Sequence, residues 1–200
     1  MKTLYTGLTS PQADYIHTPL IEVRPVDNDA AIQQAATRID SYDYMLYTSR
    51  HAAAYVAPLM TKARRTVSIG KATTAALHQA GIACVSEVDE DNSYGVIAWF
   101  DSQPRGRVLI PRSDLALPII PEGLQKLGFE VDCVTVYTNS MPTHPQKVEL
   151  TDIGRIVFTS PSTIDNFIRL YGRLPLDKEL TTRGPITEQH LQNMIKKQLL

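Results

Sequence analysis

Four places in the sequence end an apolar run and open a helix-like pattern with a hydroxyl or glycine turn. Ser49 follows YMLYT and precedes Arg50 and His51. Gly70-Lys71-Ala72-Thr73 follows TVSI. Ser160-Pro161-Ser162 follows RIVFT, and Gly184-Pro185-Ile186-Thr187 follows ELTTR. A helix start leaves backbone N–H groups unpaired and carries a partial positive charge, so each turn suits a carboxylate or phosphate. The basic residues beside these turns, Arg50, Lys71, Arg112 and Arg183, would add charge-assisted hydrogen bonds, and Arg suits two-point contact with a carboxylate. A capping role alone accounts for any one of these Ser residues. Four such turns at strand C-terminal ends predict a binding cleft, because open parallel sheets take ligands there.

Other chemistries find no support. His17, His51, His78, His144 and His190 show no HExxH spacing, and Cys84 and Cys133 form no CxxC, so no metal is expected. The chain has neither GxGxxG nor GxxxxGK[ST], which removes a nucleotide site. His51 lies close to Ser49, but no acidic partner can be assigned to it, and a hydrolase triad is a poor fit. The two cysteines sit in apolar runs, IACV and VDCVTV, and are expected to be buried thiols in a reducing cytoplasm. A net charge of −1 and a pI of about 6.5 argue against a general nucleic-acid binder. The N-terminus, MKTLYTGL, holds no long apolar segment, so neither an export signal nor a membrane span is expected.

The elements that would hold these turns repeat. Ser49 and Ser160 stand 111 residues apart, Gly70 and Gly184 stand 114 apart, and the chain reads as one α/β unit built twice. Expected strands are Lys2–Thr6, Tyr15–Leu20, Tyr44–Tyr47, Thr66–Ile69, Ile82–Val85, Arg107–Ile110, Val131–Tyr137, Arg155–Phe158 and Glu179–Thr182. Expected helices run from Asp29 to about Ile39, His51–Met60, Ala72–Ala80, Val96–Phe100, around Glu122–Leu127, Ile164–Tyr171 and Ile186–Gln198. The alternation predicts parallel sheets flanked by helices. With 43% apolar residues, the 200-residue chain can bury a core, and its length fits one large or two small domains. Ile21–Val26 and Val136–Pro145 read as extended crossings. They divide a discontinuous, reduced terminal lobe (1–22 and 146–200) from an inserted lobe (26–138).

The set YTSRHAA, SIGKATTAAL, VLIPRSD, GFEVDCVTVYTN, IVFTSPSTIDNF and RGPIT resembles uroporphyrinogen-III synthase over nearly the whole chain. Each motif is short; their order and spacing carry the resemblance. It implies two α/β lobes, one inserted in the other and joined by two extended strands. It also implies a cofactor-free lyase acting on hydroxymethylbilane, a linear tetrapyrrole with eight carboxylates. Ring A would lose its hydroxyl as water, ring D would attack the resulting azafulvene, and a spiro intermediate would fragment and reclose with ring D inverted. The protein would act chiefly by holding a conformation and by helping hydroxide leave.

By the same resemblance the family's phenol falls on Tyr137, in VTVYTN, whose ordinary pKa of about 10 leaves it a proton to give. The turns would hold substrate carboxylates through Ser49, Arg50, Lys71, Thr73, Arg112, Ser160, Ser162 and Thr187, with no single one indispensable if binding is shared. Two features depart from the family pattern. No helix fits between the first two strands, and little follows the helix holding Thr187. The terminal lobe should then be thin, with one sheet face poorly covered, so that it either dimerises through that face or is only marginally stable, a monomer or weak homodimer. A second reading shares the same cleft, a non-catalytic two-lobe binder that closes on an anionic metabolite, and a third is an α/β interaction or regulatory module that keeps the fold alone.

Overall fold

The computed structural model describes residues 1–9, 12–26, 30–59 and 65–200. The expected helix start at Asp29 and the helix end at Met60 lie outside them. The described chain divides into two compact units, Met1–Glu22 with Ser140–Leu200, and Val23–Asn139. The divisions fall inside two strands, β3 (Glu22–Pro25) and β8 (Glu130–Ser140).

The discontinuous unit is a four-stranded sheet in the order β10-β9-β1-β2. Its strands are β1 (Lys2–Tyr5), β2 (Ile16–His17), β9 (Ile153–Phe158) and β10 (Glu179–Thr182), and the three pairings among them are parallel. Leu4, Ile156 and Phe158 share one core with Ile164 and Phe167 of α6 (Pro161–Tyr171) and Leu191 of α7 (Pro185–Leu199). Strand alternation turns Thr3, Tyr5 and Arg155 to the other face. The Arg155 guanidinium donates to Thr3 Oγ1 at 3.2 Å, and Arg183 lies 5.4 Å over the Tyr5 ring. Tyr15 and His17 pack their rings 6.1 and 6.0 Å from Tyr5. Tyr5 is thereby only 3% exposed, so the centre of this face is covered despite lacking a crossover helix.

The short β1–β2 connection explains the size of β2. Parallel neighbours ordinarily need a crossover of about a dozen residues or more. Here the strand expected over Tyr15–Leu20 pairs through only two positions, Leu4 with Ile16 and Tyr5 with His17. Beyond them Thr18 N–H still bonds to Tyr5 O and Leu20 N–H to Thr6 O, both at 3.0 Å, and Leu20 packs into the core with its carbonyl accepting from Asn166 Nδ2 at 2.7 Å.

The continuous unit is a six-stranded sheet in the order β3-β8-β7-β4-β5-β6. The remaining strands are β4 (Tyr44–Tyr47), β5 (Arg65–Ile69), β6 (Val85–Val88) and β7 (Arg107–Ser113). Every residue of β4 is buried, as expected of a central parallel strand covered on both faces. On one side, Met45, Tyr47 and Leu109 pack with Val56 of α2 (Arg50–Val56) and Leu77 of α3 (Lys71–Gln79). On the other, Tyr44, Leu46 and Val108 pack with Phe100 of α4 (Ser93–Asp101) and Leu124 of α5 (Ile119–Lys126). α1 (Ala30–Thr37) adds Ile32 and Ala35 to the first core.

Two expectations fail. The run Ile82–Val85 is not a strand. The Gly81 N–H bonds to His78 O and Ile82 N–H to Leu77 O, with Gly81 at φ +87°, so the run closes α3 with a Schellman cap and β6 begins only at Val85. Ile21–Val26 is extended and holds the division between the units, as expected of a crossing, and it also forms the sheet edge through β3, with the Val26 N–H bonded to Val136 O. Cys84 and Cys133 are both exposed free thiols rather than buried ones. Cys84 falls on the cap segment, and Cys133 is on the outward side of β8.

Candidate functional site

All four hydroxyl or glycine turns stand where a strand gives way to a helix, and the two copies match in backbone angles. Ser49 (φ −152°, ψ 134°) caps α2, and Ser160 (φ −159°, ψ 161°) caps α6. Gly70 (φ 74°, ψ 146°) and Gly184 (φ 87°, ψ 157°) open α3 and α7. Both glycines occupy a backbone region essentially closed to other residues. Ser49 and the Gly70 turn belong to the continuous unit, whereas Ser160, Ser162 and the Gly184 turn belong to the other.

The Ser160 turn is a reciprocal capping box. Ser160 Oγ accepts from Thr163 N–H, while Thr163 Oγ1 accepts from Ser160 N–H at 3.2 Å. Ser160 Oγ and Ser162 Oγ lie 3.0 Å apart, so the two hydroxyls form one polar spot beside Pro161. Thr73 and Thr187, three residues after their glycines, are only 5% and 4% exposed. Their side chains pack inward, which leaves the backbone N–H groups of those turns, rather than the hydroxyls, to meet a ligand. Arg50 and Lys71 are exposed at the two helix starts of the continuous unit. The Arg112 guanidinium donates to the carbonyls of Ala116 and Leu117.

Tyr137 occupies a different setting from the one that simple alternation along β8 gives. Pairing of β7 with β8 runs in register up to Arg112 with Thr135, then jumps to Ser113 with Tyr137. This bulge gives β8 one extra residue, Val136. Bulges re-aim side chains and recur beside active sites. Val134, Val136 and Tyr137 consequently all face one core. The segment beyond the bulge is tied down, with Asp114 N–H bonded to Tyr137 O, Asn139 N–H to Asp114 Oδ1 at 3.0 Å, and Asn139 Nδ2 to Ser113 Oγ at 2.6 Å.

The phenol that results is 7% exposed and donates to Ser49 Oγ at 2.9 Å. The same oxygen accepts the His51 N–H at 3.2 Å. The His51 and Tyr55 rings, one helical turn apart on α2, sit 5.8 and 6.2 Å from the Tyr137 ring. Burial first, and then the Arg50 charge, hold the His51 imidazole below its ordinary pKa, which keeps it neutral. Sequence reasoning selects Ser49 and Tyr137 separately and sets His51 aside. The spacing of His51 and Tyr55, four residues apart on a helix, is the available sign that they share a face.

A cavity of about 320 Å³ in this unit is lined by Thr48, Ile69, Asp91, Ile110, Arg112 and Ile120, among others. It lies where strand order reverses, between β4 and β7, the position at which open parallel sheets bind ligands. Asp91 is absent from the expected site residues. It stands just before the α4 cap, Asn92, whose side chain accepts from Tyr94 and Gly95 N–H groups at 2.9 Å. No group of His, Cys, Asp and Glu among the described residues could hold a metal ion.

The family model of uroporphyrinogen-III synthase HemD matches residues 3–198. The chain belongs to the uroporphyrinogen-III synthase family. Solved structures of such synthases share its fold at low identity. The enzyme of Thermus thermophilus, in a mutant form, is 16% identical with a TM-score of 0.66, covering 96% of this chain and 88% of that one. The Helicobacter pylori enzyme is 15% identical with a TM-score of 0.65, at the same coverages. No curated protein matches the sequence. As a synthase of this family the protein is a lyase-type cyclase of porphyrin biosynthesis with a tetrapyrrole substrate, and no helix among the described residues is long and apolar enough to cross a membrane.

Proposed function

We propose that the protein is a hydro-lyase that cyclises hydroxymethylbilane to uroporphyrinogen III, with inversion of ring D and loss of water. The observation that carries this reading is the family match across residues 3–198, to which the Tyr137–Ser49 hydrogen bond adds a buried phenol with a proton to give. In this reading Tyr137 supplies the acid that lets the ring A hydroxyl depart. Uncatalysed closure of the linear substrate gives the uninverted isomer, so the remaining task is to hold the chain of pyrroles in the geometry that leads to ring D attack.

The turns share that task. Ser49, Ser160 and Ser162 offer hydroxyls, and the Thr73 and Thr187 turns offer backbone N–H groups to substrate carboxylates. Arg50 and Lys71 supply exposed cations, and Arg112 lines the cavity while its guanidinium also holds the loop at Ala116 and Leu117. No cofactor or metal takes part, and the enzyme works in the cytoplasm as a monomer or weak homodimer. The deciding experiment couples the protein to a deaminase fed with porphobilinogen and separates the two uroporphyrin isomers. Isomer III above the uncatalysed background is expected. Isomer I alone would overturn the proposal. Tyr137→Phe should lower kcat about a hundredfold, within the range for a lost general acid, with little change in KM.

A further inference from the structure

The two copies of the serine turn match in backbone but not in what they touch. Ser160 Oγ meets only its own turn, through Ser162 Oγ and Thr163 N–H, among the described residues. Ser49 Oγ meets a phenol from a strand 88 residues away. The duplicated turn has thus diverged, and one copy is wired to the acid.

The wiring has a direction. Tyr137 is only 7% exposed, and its one hydroxyl hydrogen points at Ser49. Ser49 is half-buried and stands nearer the surface. Its oxygen accepts both the Tyr137 O–H and the His51 N–H. A hydroxyl oxygen has two acceptor positions and one hydrogen. With both acceptors filled, the hydrogen of Ser49 itself is left to donate to a ligand. The His51 and Tyr55 rings pack against the Tyr137 ring and limit its swing, so the phenol has no short way around the serine.

We propose that Ser49 is the group that protonates the departing hydroxyl, and that Tyr137 reloads it as the proton source behind. This rests on the reading of Tyr137 given above. As the C–O bond of the hydroxymethyl carbon breaks, its electron pair leaves with oxygen. That oxygen takes the Ser49 hydrogen, and water departs. The Tyr137 hydrogen moves to Ser49 Oγ in the same step, leaving a phenolate. The pyrrole nitrogen feeds its electrons toward the carbon, and its own N–H proton then returns to the phenolate, directly or through solvent. One proton and one hydroxide leave the substrate as water and N–H loss, and the enzyme regains its starting state.

The proposal separates Ser49 from the other turns, whose loss is shared among several contacts. The test uses Ser49→Asn, because Asn caps a helix as well as Ser does but has no hydroxyl hydrogen to relay. Ser49→Asn should lower kcat about a hundredfold, like Tyr137→Phe, with an unchanged melting temperature and a rise in isomer I. Ser49→Thr, which brings a hydroxyl back, should recover at least about tenfold of that loss. The double variant Ser49→Asn with Tyr137→Phe should lose no more than either alone, since two members of one relay act as a unit. Full turnover in Ser49→Asn beside a slow Tyr137→Phe would overturn the relay while leaving Tyr137 as the acid. So would a double variant whose loss is the product of the two. Full turnover in Tyr137→Phe would overturn the assignment of Tyr137 itself, and the relay with it.

Discussion

The Asp91 carboxylate rests against the backbone of Gly70, so close that a methyl group on Gly70 would meet Asp91 Oδ2 at 2.7 Å. The glycine turn expected to hold a substrate carboxylate thus already has a carboxylate beside it. The two residues fix each other: Gly70 leaves room, and its φ of +74° admits no ordinary side chain without strain. Gly70→Ala should therefore cost about 1–3 kcal/mol for the backbone alone. Removing Asp91 as well should return only the contact part of the loss. Urea midpoints at constant slope measure both. Full recovery in the double variant would show that contact, and not φ, sets the requirement.

Tyr47 ends β4 with its hydroxyl buried and without a hydrogen-bond partner among the described residues. Burial alone pushes its pKa well above the usual phenol range. An unsatisfied buried donor carries a desolvation cost of about 1–3 kcal/mol. Tyr47→Phe removes the group and keeps the ring, so it should raise stability by about 1 kcal/mol. A loss of stability would mean that the hydroxyl has a partner.

The Ser160–Thr163 capping box predicts a structural rather than a chemical role for that serine. Ser160→Ala should cost about 1 kcal/mol of stability and less than about tenfold in turnover, which corresponds to about 1.4 kcal/mol in the barrier. Ser160→Asp should restore the stability, since Asp caps equally well. A loss of about ten-thousandfold in turnover would instead mark Ser160 as a reacting group.

His51 makes stability depend on pH in a definite direction. Its folded pKa is depressed, first by burial and then by Arg50. Below the unfolded value, about 6.5, the unfolded chain takes up a proton that the folded chain refuses. Stability from this group is therefore full above about pH 6.5 and falls as pH drops toward the folded pKa. His51→Gln should show a smaller fall in urea midpoint between about pH 7.5 and 5.5 than the parent protein. An equal fall in both would assign the dependence to other groups.

Much of the fold is legible along the chain because local rules and the tertiary fold agree there. Tyr44–Tyr47 and Glu179–Thr182 are strands at their expected bounds, and the Ser160-Pro161 and Gly184-Pro185 signals open helices where expected. The failures have local causes. Ile82-Ala83-Cys84-Val85 has the composition of a strand, yet Gly81 turns its first residues into a helix cap. Ile21–Val26 is the extended crossing expected, but its pairing with a distant β8 leaves no mark in so short a run.

The repeated turns, the alternation of strands and helices, and the family are properties of order and spacing, and the sequence by itself determined them. What Ser49 and Tyr137 do to one another was decided only in three dimensions. Side chains alternate along a strand, so an extra residue reverses which face the next one takes. The bulge at Val136 is visible only as a register jump against β7. It turns Tyr137 inward onto a helix cap 88 residues away, and no reading of VTVYTN alone contains that turn.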